Sequence, residues 1–201
     1  MNDEQDIEIR DKETVYAGFF RMERYRLRHR KFDGSWTPEV SREIFERGNA
    51  VAILLYDPDL DTVVMVEQFR LPAYLAGRSA WCIETPAGVV KPGEELADVA
   101  RREALEETGC EIAGEVRKVA QFMASIGGST EIVTVFLGLV DSRTATGIHG
   151  VADEHEDIRV HVVAASEAIR MADESEIENA ASVIALNWLA RHHGSLKGTA
   201  A

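Results

Sequence analysis

Between Gly88 and Cys110 the chain reads GVVKPGEELADVARREALEETGC. On a helix turning roughly 100° per residue, Glu103, Glu106 and Glu107 stand at i, i+3 and i+4 and share one stripe. Carboxylates so placed raise one another's pKa, and bound divalent cations reverse that electrostatics and keep the oxygens ionised. The competing interpretation is a solvated acidic face carrying pairs such as Arg102–Glu106, each of which stabilises a helix only slightly. Two features favour a ligand site. Leu105 falls opposite Glu103 and Glu107, with Ala97, Ala100 and Ala104 on the flank, so packing is expected away from the glutamates and their side is expected to be free. Pro86, Gly88, Pro92 and Gly93 punctuate a loop before the helix, and Gly109 fits a left-handed stop after it. The segment predicts strand, loop, acidic helix and stop. Its all-oxygen donor set suits Mg²⁺ and accommodates Mn²⁺.

The rest of the chain is rich in strand patterns. Tyr16–His29 and Trp36–Arg47 flank an Asp33-Gly34 turn and predict a hairpin-like N-terminal extension. Ala50–Tyr56 and Thr62–Gln68 enclose DPDLD as a second hairpin, and Trp81–Thr85, Val116–Phe122, Glu131–Val140 and Ile158–Val163 continue the series. Helical periodicity covers Glu95–Thr108, Ser166–Ala172 and Asn179–His193, with Asn179 as a cap. Mixed strands with few helices imply α/β or α+β layers around a mixed sheet. Two domains are expected: residues 1–47 as a β-strand extension, and residues 48–201 as the main body, which holds the acidic helix. A lone two- or three-stranded ribbon is marginal in water, so the extension is expected to pair with something.

A net charge of −13 disfavours a broad basic face for nucleic acid. No apolar run reaches the length of about eighteen residues that a membrane span needs, so no membrane partner is expected. MNDEQDIE lacks the basic and apolar regions of a secretory signal, and Cys82 and Cys110 form no CxxC pair. A cytoplasmic protein with reduced thiols is the expectation.

The Gly88–Cys110 segment matches the Nudix box, GX5EX7REUXEEXGU with U bulky or apolar, at Gly88, Glu94, Arg102, Glu103, Ala104, Glu106, Glu107, Gly109 and Cys110. Ala104 is small for its position, and every charged position is filled. FERGN at 45–49, VEQFR at 66–70, ETPAG at 84–88, GIHGVADEHEDIRVHVV at 147–163 and NAASVIALNW at 179–188 resemble the bacterial ADP-ribose pyrophosphatase subfamily. The resemblance implies an α/β/α sandwich and Mg²⁺-dependent hydrolysis of ADP-ribose to AMP and ribose 5-phosphate, with two or three ions per site. It also implies a homodimer in which the N-terminal strands help form the partner's pocket. GDP-mannose or another nucleoside diphosphate sugar is the alternative substrate. A non-catalytic nucleotide sensor fits poorly, because the box is intact and no basic helix-turn-helix accompanies it. One departure touches substrate choice: residues 125–129 read SIGGS, with Ile126 where the subfamily carries proline.

The resemblance also assigns roles. Glu103 and Glu107, the carbonyl of Ala87 and Glu156 are the expected metal ligands; Glu106 is a ligand or a supporting neighbour. Glu154 is the expected general base, with its role and that of Glu156 interchangeable, and Asp153, His155 and Asp157 as competitors. Arg102 is expected to orient the glutamates, including Glu94. Arg70 offers charge-assisted hydrogen bonds to phosphate, or is a surface charge at a strand end. Ser125, Gly127 and Gly128 offer close backbone approach to a ribose or phosphate, or form a plain tight turn. Arg42 is expected at the dimer interface.

Overall fold

A computed structural model describes residues 3–197, with Glu154 described in its backbone alone. The chain divides into two compact units, residues 1–49 with 123–132, and residues 50–122 with 133–201.

In the first unit, a short helix α1 (Asp3–Asp6) leads into β1 (Ile7–Ala17), β2 (Arg21–His29) and β3 (Val40–Glu46), an antiparallel sheet in the order β1-β2-β3. The single strand expected over Tyr16–His29 is broken at residues 18–20, where the Gly18 N–H donates to the Phe20 carbonyl. The acidic start, which carries no apolar alternation, forms the long strand β1. Charge complementarity across the ladder accounts for it: Arg28 pairs with Glu8 at 2.5 Å and Arg24 with Glu13 at 3.6 Å. The Asp33-Gly34 turn forms as expected, with Gly34 at φ 82° and the Asp33 carboxylate accepting the Ser35 N–H at 2.8 Å. The following strand begins at Val40 rather than Trp36, whose ring is contacted by the guanidiniums of Arg28 and Arg30 at 4.6 and 4.4 Å from its centroid. Pro38 cannot donate to a ladder in between. Residues 123–132 join this unit through Phe45 N–H to Gly128 O at 2.7 Å and Arg47 to Glu131 at 3.3 Å.

The second unit holds a mixed eight-stranded sheet. Its strands are β4 (Ala50–Asp57), β5 (Thr62–Phe69), β6 (Trp81–Glu84), β7 (Ala87–Val89), β8 (Ala113–Met123), β9 (Ile132–Leu139), β10 (Ile148–His149) and β11 (Ile158–Ala164). The order is β10-β11-β5-β4-β9-β8, with β6 on β5 and β7 on β4; β4 runs parallel to β9 and antiparallel to β5 and β7. Its helices are α2 (Leu71–Leu75), α3 (Leu96–Thr108), α4 (Ala165–Asp173) and α5 (Ala180–Leu196).

β4 organises the layers. Its near-continuous apolar run AVAILLY is buried on both faces, as a central strand demands. Val51, Ile53 and Leu55 face α3 through Val99, Ala100 and Ala104. Ala52, Leu54 and Tyr56 face α4 and α5 through Ala168, Ala185, Leu186 and Leu189. Each large aliphatic side chain removed from water contributes about 1.5–3 kcal/mol, so the alternation locks β4 in register between two helical layers. This is the α/β/α sandwich expected from the sequence. The expected strands and helices recur to within a few residues. The short β7 and α2 were not foreseen, since three and five residues are too few to carry a periodicity.

Candidate metal-binding site

The loop before α3 places an acidic helix against a strand with almost no intervening volume. A Cβ built on Gly88 would lie 1.8 Å from Oε1 of Glu103, so any larger residue here would displace this carboxylate from its place beside β7. At the far end Gly109 takes φ 70° and donates its N–H to Leu105 O, the expected left-handed stop. At the near end the Glu94 carboxylate accepts the Lys91 N–H at 2.8 Å, bracing the loop.

The helix does not lie as its sequence suggested. Leu105 is 50% exposed, whereas Glu103 and Glu107 are 8% and 2% exposed and share the inward side with Val99, Ala100 and Ala104. The alanines let the helix sink close to the sheet, which draws the two glutamates under cover and leaves Leu105 on the solvent side. The box carboxylates are therefore interior groups beside β7 rather than a free outer stripe.

Arg102 gathers three of the acids. Its guanidinium lies 2.8 Å from Glu103, 3.0 Å from Glu106 and 3.8 Å from Glu94. Glu107 has a different partner: its carboxylate accepts the backbone N–H of Ala87 at 3.0 Å. Burial pushes the Glu107 carboxyl up to about 8 against that hydrogen bond, and the charges of Glu103 and Glu156 push the same way. Burial also raises Glu103, with Arg102 drawing it back and Glu106 and Glu156 adding to the rise. Glu156 thus acts electrostatically on both box glutamates. Its own carboxylate accepts the Val151 N–H at 3.1 Å, and the loop is tied to α3 through Gly150 N–H to Glu106 O at 3.1 Å.

Glu103, Glu106, Glu107, Arg102, Ala87 and Glu156, separated by up to seventy positions in the chain, accordingly belong to one electrostatic cluster in the second unit. The side chain of Glu154 lies outside the described residues; its backbone closes a 3₁₀ turn whose next residue, His155, is left-handed at φ 55°. Asp153, His155 and Asp157 are exposed.

Arg70 is not a free surface charge. Its Nε and Nη2 donate to the two oxygens of Glu84, each at 3.0 Å, in a two-pronged pair. Burial opposes its charge, but Glu84 and, beyond it, Glu107 raise its pKa above the ordinary arginine value. Glu84, 3% exposed, was quoted in ETPAG without a role; a carboxylate two residues before the loop was the only signal in the sequence. Arg70, Glu84 and Asn179 line a cavity of about 560 Å³. Asn179 caps α5 as expected, accepting the Ser182 N–H at 3.1 Å.

Arg42, Ser125, Gly127 and Gly128 lie in the first unit. Arg42 is exposed on β3, opposite Tyr25, with Nη1 donating to Ser41 O. Ser125 O accepts the N–H groups of Gly128 and Ser129 at 3.0 and 2.9 Å, a tight turn. A Cβ at Gly127 would meet nothing, and one at Gly128 would make only ordinary contact, so neither glycine is demanded by its surroundings. Ile126 is 83% exposed at the tip.

The NUDIX domain family matches residues 46–186. An ADP-ribose pyrophosphatase of Escherichia coli (strain K12) is 51% identical over 192 residues, which are 96% of this chain and 91% of that protein. A GDP-mannose pyrophosphatase of Citrobacter koseri is 41% identical over 157 residues, 77% of this chain and 79% of its own. A crystal structure of an ADP compounds hydrolase superposes with a TM-score of 0.72 at 18% identity, covering 95% of this chain and 96% of that one, a likeness of fold. With Arg102, Glu103, Glu106 and Glu107 of the box on α3, Glu94 in the loop before it and Gly88 on β7, and the match extending over most of the sequence, the chain belongs to the NUDIX domain family.

Proposed function

We propose that this protein hydrolyses the pyrophosphate bond of ADP-ribose, releasing AMP and ribose 5-phosphate, with Mg²⁺ as the ion and two or three ions per site. The observation that carries the reading is the buried pair Glu103–Glu107, Glu103 against Gly88, whose carboxyl pKa values are both raised by burial. Arg102 brings one positive charge to Glu94, Glu103 and Glu106, and Glu107 accepts a backbone N–H, so the excess of carboxylates on this side suits a hard cation. In this reading Glu103, Glu107, the Ala87 carbonyl and Glu156 hold the ion, although among the described residues no three acidic, histidine or cysteine side chains stand together as a ready-made cluster. Bound divalent ions would offset the negative oxygens of the pyrophosphate and make an attacking water easier to deprotonate.

The chain's own groups do the rest. Glu154 takes the proton from the attacking water as its oxygen bonds to phosphorus and the bridging P–O bond breaks, the electron pair leaving with the departing phosphate. Arg102 holds Glu103 and Glu106 in their orientations. Arg70 donates to a substrate phosphate with the N–H groups that Glu84 leaves unused. Ser125, Gly127 and Gly128 form a turn suited to backbone contact with ribose or phosphate.

Relatives named as ADP-ribose pyrophosphatases match nearly the whole chain, N-terminal strands included, which favours that substrate. Ile126 in the SIGGS loop, where the subfamily carries proline, weakens the ADP-ribose assignment and keeps GDP-mannose or another nucleoside diphosphate sugar as the alternative. Residues 1–47 are read as a dimerisation extension carrying Arg42 at the interface, and residues 48–201 as the catalytic domain of a homodimer. Light scattering of the full chain tests that assembly. No described helix is long and apolar enough to cross a membrane, and both cysteines are free, which supports a cytoplasmic setting.

The deciding experiment measures phosphate-containing products from ADP-ribose, GDP-mannose, ADP-glucose, NADH and diadenosine polyphosphates, with and without Mg²⁺. Preferential AMP release from ADP-ribose is expected. Preference for GDP-mannose would replace the substrate assignment, and no turnover of any would overturn the enzymatic reading.

A further inference from the structure

Arg70 is paired with the cavity-lining Glu84, and the charges of Glu84 and, behind it, the buried Glu107 both raise its pKa. A guanidinium on a flexible stem binds phosphate well only when its fork is held in advance, because ordering it at binding costs side-chain entropy. The wall behind it is a continuous polar chain. Glu84 accepts both prongs of Arg70. The Asn179 amide donates to the Glu84 Oε2 at 3.4 Å. The Asn179 oxygen accepts from Ser182 N–H and Oγ at 3.1 and 3.3 Å. The buried Ser182 hydroxyl then accepts the Thr85 N–H at 2.9 Å and meets Thr85 Oγ1 at 3.1 Å. Thr85 stands two residues before Ala87, whose N–H holds Glu107. One short segment, residues 84–87, therefore fixes both the guanidinium and the buried carboxylate.

We propose that Glu84 and Asn179 are positioning residues for substrate phosphate: they lock the Arg70 fork so that its remaining donors face the cavity, and they tie that geometry to the start of α5. The inference rests on the reading of Arg70 as a phosphate ligand. Glu84 itself is not available to a cation, since both its oxygens are committed to Arg70 and one also accepts from Asn179. Nor is Asn179 only a helix cap, because serine would cap equally well without reaching Glu84.

The test uses the full chain and two probes: turnover of ADP-ribose with Mg²⁺, and calorimetric binding of ADP, which carries the pyrophosphate and reads Arg70 without chemistry. Glu84→Gln is expected to raise KM and weaken ADP by about tenfold, the loss of one charge-assisted interaction, with kcat changed far less. Asn179→Ser is expected to weaken ADP by about threefold at an unchanged Tm. It carries the test if Glu84→Gln fails to fold. In an Arg70→Ala background neither change should weaken ADP further, a non-additivity that a merely structural role would not produce. Unchanged ADP affinity in Glu84→Gln and Asn179→Ser, losses that persist without Arg70, or an effect on kcat alone would overturn the inference. Wild-type protein that binds ADP with these dependences but does not hydrolyse ADP-ribose would sink the substrate assignment and leave this inference standing.

Discussion

The Gly88 backbone and the Glu103 carboxylate occupy adjoining space with no room for a methyl group between them: a Cβ on Gly88 would stand 1.8 Å from Oε1. The glycine of the box is thus a clearance for the Glu103 side chain, a role separate from turn formation. Gly88→Ala should displace Glu103 and lower kcat/KM by about 10²-fold, the scale expected when a catalytic group is misplaced by about 1 Å. Steady-state kinetics with a Mg²⁺ titration would check it. Near-normal kinetics would mean that Glu103 is free to move and is not held as a ligand.

Glu107→Gln should inactivate and stabilise at once. The buried carboxylate is disfavoured by its surroundings, and an amide of the same shape can still accept the Ala87 N–H. Above about pH 8 the metal-free variant should gain about 1–3 kcal/mol, while kcat falls by about 10³-fold. Thermal melts beside turnover assays decide the matter; a variant that loses both stability and activity would make Glu107 a structural residue.

The same carboxyl sets a pH dependence whose sign is fixed. Its folded-state pKa is raised from 4.5 to about 8. Between those values the folded protein keeps a proton that the unfolded chain has released, so metal-free stability should fall as pH rises across that window. Mg²⁺ needs the ionised form, so its stabilising effect should grow over the same range. Melting curves from about pH 5 to about pH 9 with and without Mg²⁺ would show the two trends diverging. Their persistence in Glu107→Gln would assign the effect to other groups, Glu103 being the next whose pKa is raised.

Arg102→Met should preserve the bulk of the side chain and remove the cation that lies near Glu94, Glu103 and Glu106. Left together, those acids would repel, so kcat should drop by about 10–100-fold with a higher Mg²⁺ requirement. A loss in KM for ADP-ribose with unchanged Mg²⁺ dependence would instead place Arg102 on the substrate.

The sequence by itself determined most of the longer strands and helices and the chemical inventory. Gly109 as a left-handed stop, Asn179 as a cap, Asp33-Gly34 as a turn and the apolar run of β4 are short-range signals, set by backbone sterics and side-chain periodicity within a few residues. The spacing from Gly88 to Cys110 likewise announced the box. Tertiary structure alone decided which side of α3 is buried, because the small alanines let the helix approach β7 and carried Glu103 and Glu107 inward while Leu105 stayed outside. It also decided that Glu84 anchors Arg70, and that strongly charged β1 is a strand whose charges find partners on β2. Those outcomes depend on contacts between residues distant in the chain, whose desolvation and pairing energies exist only once the sheets have formed.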